Sequence, residues 1–422
     1  MTAPLPLSLA CCDPGAVPVD PAALLRPLHE GAMDVGRLRG EKDGEWLSFR
    51  AISAPAVRDM QTSLRAAGFL PNGASTGIFD YRTLSAVRLF QEYVRSVEAV
   101  ADIGVPDGVV GPRTAAHLAR WGRDGKRADW ADRSPDNATP AFRYWMRVLS
   151  LYQAFNAQTP VTRVVQMADA FTGPSDTLKI AGWNLDRKAI HLIGLRRQEW
   201  RKAPVRRNDD VFVLLVNGVA FGFSGSTDPN PKEAKRADEP YLVRGQHQYR
   251  FGWHKLSDSK HVYRAFRPVG PGVLACRDTV NDDALTDEDL AGGLSVVPDI
   301  NIHWSGAGTG NWSAGCQVIE GRRYLNHRGV VVDCSAFASP GYAGLGAKTR
   351  GAFNVLLDLI TVFAPSNATS GTGVHYTLLY DRDLDLKVNA NQTLGDAARV
   401  DLPAADVDTW SVARLVGALV EV

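Results

Sequence analysis

Apolar residues recur along this chain first with the period of a helix and later with that of a strand. Val57, Met60 and Leu64 share helical spacing up to Gly68; Leu84, Val87 and Phe90 form a second such face, and Ala115, Leu118 and Trp121 a third. Asp80 stands where a side chain would cap the second helix. The joining segments Gly77-Ile-Phe-Asp-Tyr-Arg-Thr83 and Asp107-Gly-Val-Val-Gly-Pro-Arg-Thr114 share a plan: a glycine, an apolar pair, then Arg-Thr opening a helix. Three short helices joined in this way predict a small bundle over residues 54–122.

The flanking pattern differs. Residues 1–53 are rich in Pro, Ala and Gly and predict an arm with one short helix near Ala22 to Glu30. Polar residues, Pro and Asn over 123–140 predict a linker, and Tyr144, Trp145, Val148, Leu149 and Tyr152 an amphipathic helix from Phe142 to Phe155. Together, 123–185 reads as linker and helical segment. Beyond Ala189 the period shortens. Val211 to Val216, Asn217-Gly218 and Val219 to Phe223 predict a hairpin. Further strands are expected at His261 to Arg267, Gly272 to Cys276, Ile300 to Trp304, Cys316 to Ile319 and Val374 to Tyr380, with one strong helix at Arg350 to Phe363. The fold class is multidomain α+β: a three-helix bundle, then a mainly β barrel or sandwich over 186–385, with 386–422 as an appendage.

Composition narrows the function classes. In 422 residues, Lys+Arg 47 against Asp+Glu 46 leaves no bulk field to recruit nucleic acid or anionic lipid. No apolar run approaches the roughly 20 residues of a membrane span. Five cysteines leave at least one unpaired in a monomer. Cys11 and Cys12 read as part of a mobile terminus, and Cys276 and Cys334 as small buried hydrophobes. Without CxxC pairs or His-rich spacing, structural zinc is not expected, and the rest of the chain implies neither a metal nor an organic cofactor.

Candidate chemistry lies in Asn301-Ile-His-Trp-Ser-Gly-Ala-Gly-Thr-Gly-Asn-Trp-Ser-Ala-Gly-Cys316. His303 ends one strand and Cys316 opens the next. A thiol needs a nearby base or positive field to become a nucleophile, and neighbouring strands would supply the histidine. The turn Ser313-Ala-Gly315-Cys316 would offer backbone N–H groups to an oxyanion. His254, Trp304 and Trp312 are candidate substrate contacts, whereas His261, His327 and His375 read as structural.

Two resemblances join these features. Residues 54–122 resemble the three-helix peptidoglycan-binding domain in Gln61, Leu64 and Gly68; in Gly77, Phe79, Thr83, Ala86, Val87, Phe90 and Gln91; and in Asp107 to Pro112, Thr114 and Leu118. Residues 300–319 resemble the active site of the L,D-transpeptidases, with a histidine on a strand, a variable loop and a Ser-x-Gly-Cys turn. Ser226-Thr-Asp-Pro229 and, more weakly, Tyr249 to His254 and His375 to Leu379 are similar to other parts of that domain. Two positions depart from it. Ala314 stands where the family commonly has histidine, and Gln317-Val318 where it has an apolar residue and then arginine. The arginine's carboxylate-binding role therefore has no direct counterpart, with Arg264, Arg277 and His254 as substitutes.

The resemblance implies that Cys316 attacks the diaminopimelate–D-Ala carbonyl of a stem peptide. His303 would move the proton, and Gly315 and Cys316 N–H groups would hold the oxyanion. The acceptor is open: water (L,D-carboxypeptidase), a second stem amine (transpeptidase) or a free D-amino acid (exchange). Peptidoglycan is the expected partner. Met1 to Arg26 lacks a conventional signal peptide, so action on the wall, in the periplasm or target-cell envelope, implies non-classical export. The chain then reads as an antibacterial effector, with secretion machinery and an immunity protein as partners, or as a phage lytic protein. The alternative is a non-catalytic peptidoglycan-binding or virion structural protein.

Overall fold

The computed structural model describes residues 6–9, 11–16, 52–197, 207–230, 238–254, 263–280, 285–286, 288–339, 349–365 and 373–420. The helix expected at Ala22 to Glu30, and His261, lie outside them. The chain divides into two compact units. One comprises Met1–Arg133, Phe251–Tyr263 and Ser335–Thr372; the other comprises Ser134–Arg250, Arg264–Cys334 and Gly373–Val422.

In the first unit the expected helices span Val57–Ala66, Tyr81–Ser96 and Pro112–Asp124. Asp80 caps the second by accepting the Thr83 N–H at 2.8 Å. Phe69 sits at the centre, its ring 5.4–5.6 Å from those of Phe90, Tyr93, Trp121 and Trp130. The two similar turns are held by two equivalent glutamines. Gln61 accepts the Gly77 N–H and donates to the Ile78 carbonyl and the Thr83 hydroxyl. Gln91 accepts the Gly108 N–H and donates to the Val109 carbonyl and the Thr114 hydroxyl. Each amide thus pairs backbone groups that the tight turn removes from water.

Three expectations are corrected here. The described part of the arm is folded into the unit. Leu7 exchanges both backbone hydrogen bonds with Val110, and strand β1 (Cys11–Cys12) pairs in parallel with β2 (Ile52–Ser53). Asp13 accepts the Val57 and Arg58 N–H groups, supplying a cap that Ala56 cannot. Cys11 and Cys12 are therefore buried. The linker begins later than composition suggests, because Trp130 packs on Phe69 and donates to the Gly68 carbonyl. The helix Ala352–Phe363, expected within the β domain, lies against Tyr81–Ser96. Arg88 makes a two-pronged pair with Asp358, both buried, and Arg82 donates to the Ala364 and Pro365 carbonyls just beyond the helix.

The second unit is mainly β. Its strands are β3 (His191–Arg196), β4 (Asp210–Val216), β5 (Val219–Ser226), β6 (Pro240–Leu242), β7 (Gly245–His254), β8 (Tyr263–Pro268), β9 (Val273–Arg277), β10 (Ser295–Val297), β11 (Ile302–Trp304), β12 (Gln317–Leu325), β13 (Val331–Asp333) and β14 (Gly373–Tyr380). Strands β7 and β8 each run partly into the first unit. The hairpin β4–β5 turns at Asn217 and Gly218, both at positive φ, as an Asn-Gly turn requires. The order β11-β8-β7-β14-β3-β4-β5-β12 closes through the pairing of β12 with β11, with β13 added beyond β12. Strands β6, β9 and β10 form a separate small sheet.

The two faces of the closed sheet carry different loads. Val211, Val213 and Leu215 face the helix Pro140–Gln158 and the C-terminal helices in one apolar cluster. Phe212 points the other way, stacked on Tyr376. Residues 386–422 are corrected from appendage to core: Leu394, Leu415 and Leu419 are fully buried, each contributing about 2 kcal/mol of apolar burial. On the inner face, the Tyr376 hydroxyl donates to Gln317 and that of Tyr249 to the Ile300 carbonyl. Gly194 makes room for Tyr376, since a Cβ there would stand 2.2 Å from its hydroxyl. These hydroxyls anchor the chain beside both strands of the candidate site.

Candidate functional site

Strands β11 and β12 lie side by side in parallel, with His303 opposite Val318 and Ile302 opposite Gln317. One residue earlier, Asn301 stands beside Cys316, its carbonyl accepting the Gln317 N–H at 2.8 Å. Side chains alternate along a strand, so Asn301 and His303 share a face with Cys316 and Val318. His303 is then the diagonal neighbour of Cys316, a separation of roughly 7–8 Å between backbones that an imidazole can span. His303 is buried, and its Nδ1 lies 2.8 Å from the Trp304 carbonyl. A carbonyl can only accept, so Nδ1 carries the proton. In the neutral ring Nε2 is then the basic nitrogen.

Cys316 alone among the five free cysteines is half-exposed. Its Sγ accepts the Asn301 N–H at 3.3 Å and donates to the Asp299 carbonyl at 3.2 Å. Burial pushes the thiol up to about 11, and Asp299 adds to the rise. The Asn301 N–H, Ser313 and the Arg267 guanidinium oppose it without reversing it. At neutral pH the sulfur is a thiol that must give up its proton to react.

The turn before the cysteine is tightly braced. Ser313 donates its hydroxyl to the Cys316 carbonyl at 2.7 Å and accepts the Gly315 N–H at 3.1 Å. Gly315 is therefore already engaged and is corrected as an oxyanion donor. The Cys316 N–H has no acceptor among the described residues. Gly315 has φ +146°, and a Cβ there would lie 2.7 Å from Pro240. Both observations demand glycine.

Remote residues that the sequence did not single out hold this turn. Asn311 accepts the Ser313 N–H and donates to the Ser226 hydroxyl and the Asp228 carbonyl. Asn230 donates its backbone N–H to the Ser313 carbonyl and its side-chain amide to that of Asn311. Asn208 ties the glycine loop through Ser305, Gly308 and Gly310. Gln317, fully buried, donates to the Thr227 carbonyl, which also accepts from buried Arg196. The only prior signal was Ser226-Thr-Asp-Pro229, now seen bracing the cysteine turn.

Other expected residues fall elsewhere. Trp304 is 4% exposed on the face opposite His303 and is corrected from substrate wall to packing, whereas Trp312 is 49% exposed. His254 closes β7 within the first unit, its ring 5.4 Å from that of Tyr263. Arg264 is buried, and Arg277 donates to the Asp238 carbonyl. The cation near the thiol is instead Arg267, paired with Asp299 at 2.7 Å. His375 faces His191 and bonds Asn184, while the His327 ring meets Phe221. Among the described residues no group of three or more His, Cys, Asp or Glu side chains could hold a metal ion, and no helix is long and apolar enough to cross a membrane.

Comparison with known families decides one region. Residues 53–118 match the family model of the peptidoglycan binding domain. The chain carries a peptidoglycan-binding domain. The match covers the two glutamine-held turns and the first half of the third helix, and it makes peptidoglycan a partner. No curated protein and no solved structure matches the chain.

Proposed function

We propose that this protein is a peptidoglycan-modifying cysteine enzyme that cleaves the diaminopimelate–D-Ala bond of stem peptides, as the L,D-transpeptidases do. The observation that carries the reading is the shared face of Cys316 and His303 on paired strands, with the histidine tautomer set by the Trp304 carbonyl. The binding domain supplies the polymer and raises its local concentration.

The thiol's high pKa makes the first step a general-base step rather than attack by a preformed thiolate. His303 Nε2 takes the Cys316 proton as Sγ bonds to the carbonyl carbon. The Cys316 N–H, with Gly315 held by Ser313, faces the developing oxyanion. Collapse breaks the C–N bond, and the imidazolium returns its proton to the departing D-alanine amine. Water, a second stem amine or a free D-amino acid then resolves the thioester.

The second reading is a wall-binding protein without turnover. It is favoured by the raised thiol and by Gln317-Val318 in place of the family's arginine. Purified protein and its Cys316→Ala variant are incubated with reduced muropeptides and followed by mass spectrometry. Loss of D-alanine with the parent protein alone supports the enzyme; unchanged muropeptides with intact sacculus binding support the binding protein.

A further inference from the structure

Trp312 stands apart from the other described tryptophans. Seven of the eight are at most 6% exposed, whereas Trp312 is 49% exposed. Slack in the chain does not account for this, because the residues on either side are pinned. Asn311 is fully buried, and its carbonyl accepts the Asn230 side-chain amide at 2.6 Å. Ser313, also buried, donates its N–H to the Asn311 side chain at 2.8 Å. The indole is seated on Gly310, where a Cβ would stand 3.3 Å from its Nε1. One edge of the ring is thus fixed on the loop, and the remainder is held out to solvent in a set position.

The run around the ring indicates what would lie on it. From Trp304 to Ile319 no residue is acidic or basic. Its other exposed residues are Gly308, Thr309 and Ala314, all small. A charged stem peptide gains no ion pair from this strip. A pyranose does fit it: the sugar is neutral, is about the size of the indole, and presents a face of weakly positive C–H groups to the negative face of the ring. Peptidoglycan, the partner of the helical module, consists of N-acetylated sugars that bear the stem peptides. The reach of the stem agrees. The scissile carbonyl closes its third residue, roughly 10 Å from the sugar in an extended peptide. Trp312 precedes Cys316 by four residues, so their backbones lie within about 14 Å of each other.

We propose that Trp312 stacks on a sugar ring of the glycan strand, so that the protein acts on stem peptides still attached to glycan rather than on free peptides. This rests on the catalytic reading above and extends it from the bond cleaved to the form of the substrate.

The test compares two ligands titrated calorimetrically into the Cys316→Ala protein: the free stem tetrapeptide, and the same tetrapeptide carried by its N-acetylated disaccharide. We expect the disaccharide form to bind at least about tenfold more tightly. Adding Trp312→Ala should cut that preference at least about fivefold, and adding Trp312→Tyr, which keeps a ring face, should retain most of it. The helical module is the same in every variant. A preference that Trp312→Ala leaves intact therefore assigns the sugar to that module and overturns the proposal. Equal binding of the two forms, or a loss with Trp312→Tyr as large as with Trp312→Ala, overturns it as well. Release of D-alanine from both ligands by the parent protein is scored separately. A Trp312-dependent preference without release supports the stacking and defeats only the catalytic reading; release without such a preference does the reverse.

Discussion

The helical module and the cysteine turn use one device in two ways. Around Gln61 and Gln91 a buried amide pairs the backbone of a glycine turn, and the partners lie 16 to 23 residues further along the chain. Around Cys316 the amides of Asn311, Asn230 and Asn208 do the same work, but several of their partners are 81 to 102 residues away. The first arrangement is local, repeated and closed, and it leaves a fold that a family pattern can describe. The second is assembled from distant loops and leaves a partly exposed cysteine whose backbone N–H has no acceptor among the described residues. Local latches make a module; remote latches make a site.

The largest effect should come from removing the groups that the second arrangement presents. Cys316→Ala should abolish D-alanine release, by at least about 10³-fold. His303→Gln should lower it by about 10² to 10⁴, and both variants should still sediment with sacculi. Loss of sediment binding along with turnover would mean that the turn is structural. In the helical module, Gln91→Ala strands a buried Gly108 N–H and a Val109 carbonyl. Denaturant unfolding followed through the first unit should show a loss of roughly 2–4 kcal/mol, and sacculus binding should fall with it.

Acid should separate the two regions. Burial holds His247 near 3, between the Thr177 hydroxyl and the Val243 carbonyl, and holds His375 near 4. The folded pKa lies below the ordinary value of about 6.5, so the stabilisation is complete above that pH and is lost as pH falls toward 3. For His247 the loss between pH 7 and 5 is about 2 kcal/mol. Melts of the β unit should show it, and His247→Gln should flatten the dependence. The smallest effect on turnover is expected at Asn311. Asn311→Ala should slow turnover about five- to tenfold through a loosened cysteine turn and, by stranding the buried Ser313 N–H and the Asp228 carbonyl, lower the stability of the β unit by about 1–3 kcal/mol; an unchanged rate would show that the remote latch does not position the cysteine.

Much of the helical module was legible because its signals are short-range: apolar faces at helical spacing, Asp80 before its helix, and the repeated turn with Thr83 and Thr114. The hairpin at Asn217-Gly218 and the strand positions of His303 and Cys316 were legible for the same reason. The role of Gly315 was not, because only the hydroxyl of Ser313 folding back on its N–H reveals that the donor is spent. Trp304 and Trp312 look alike in sequence, and strand alternation buries one and exposes the other. Nor could spacing place the helix Ala352–Phe363. It is buried on every side, so its apolar face names no single neighbour, and its partner is marked only by Arg88 and Asp358, 270 residues apart.

By itself the sequence determined a peptidoglycan-binding helical module and a thiol with a histidine on the preceding strand. Periodicity, caps and turn residues act over a few positions, and the chain writes them out in order. Tertiary structure alone decided that the first and last residues described belong to cores, that Gly315 is engaged, and that Arg267 and Asp299 are the charges beside Cys316. Those outcomes depend on which strands become neighbours and in what register, and register is set by the packing of the whole sheet rather than by any segment within it.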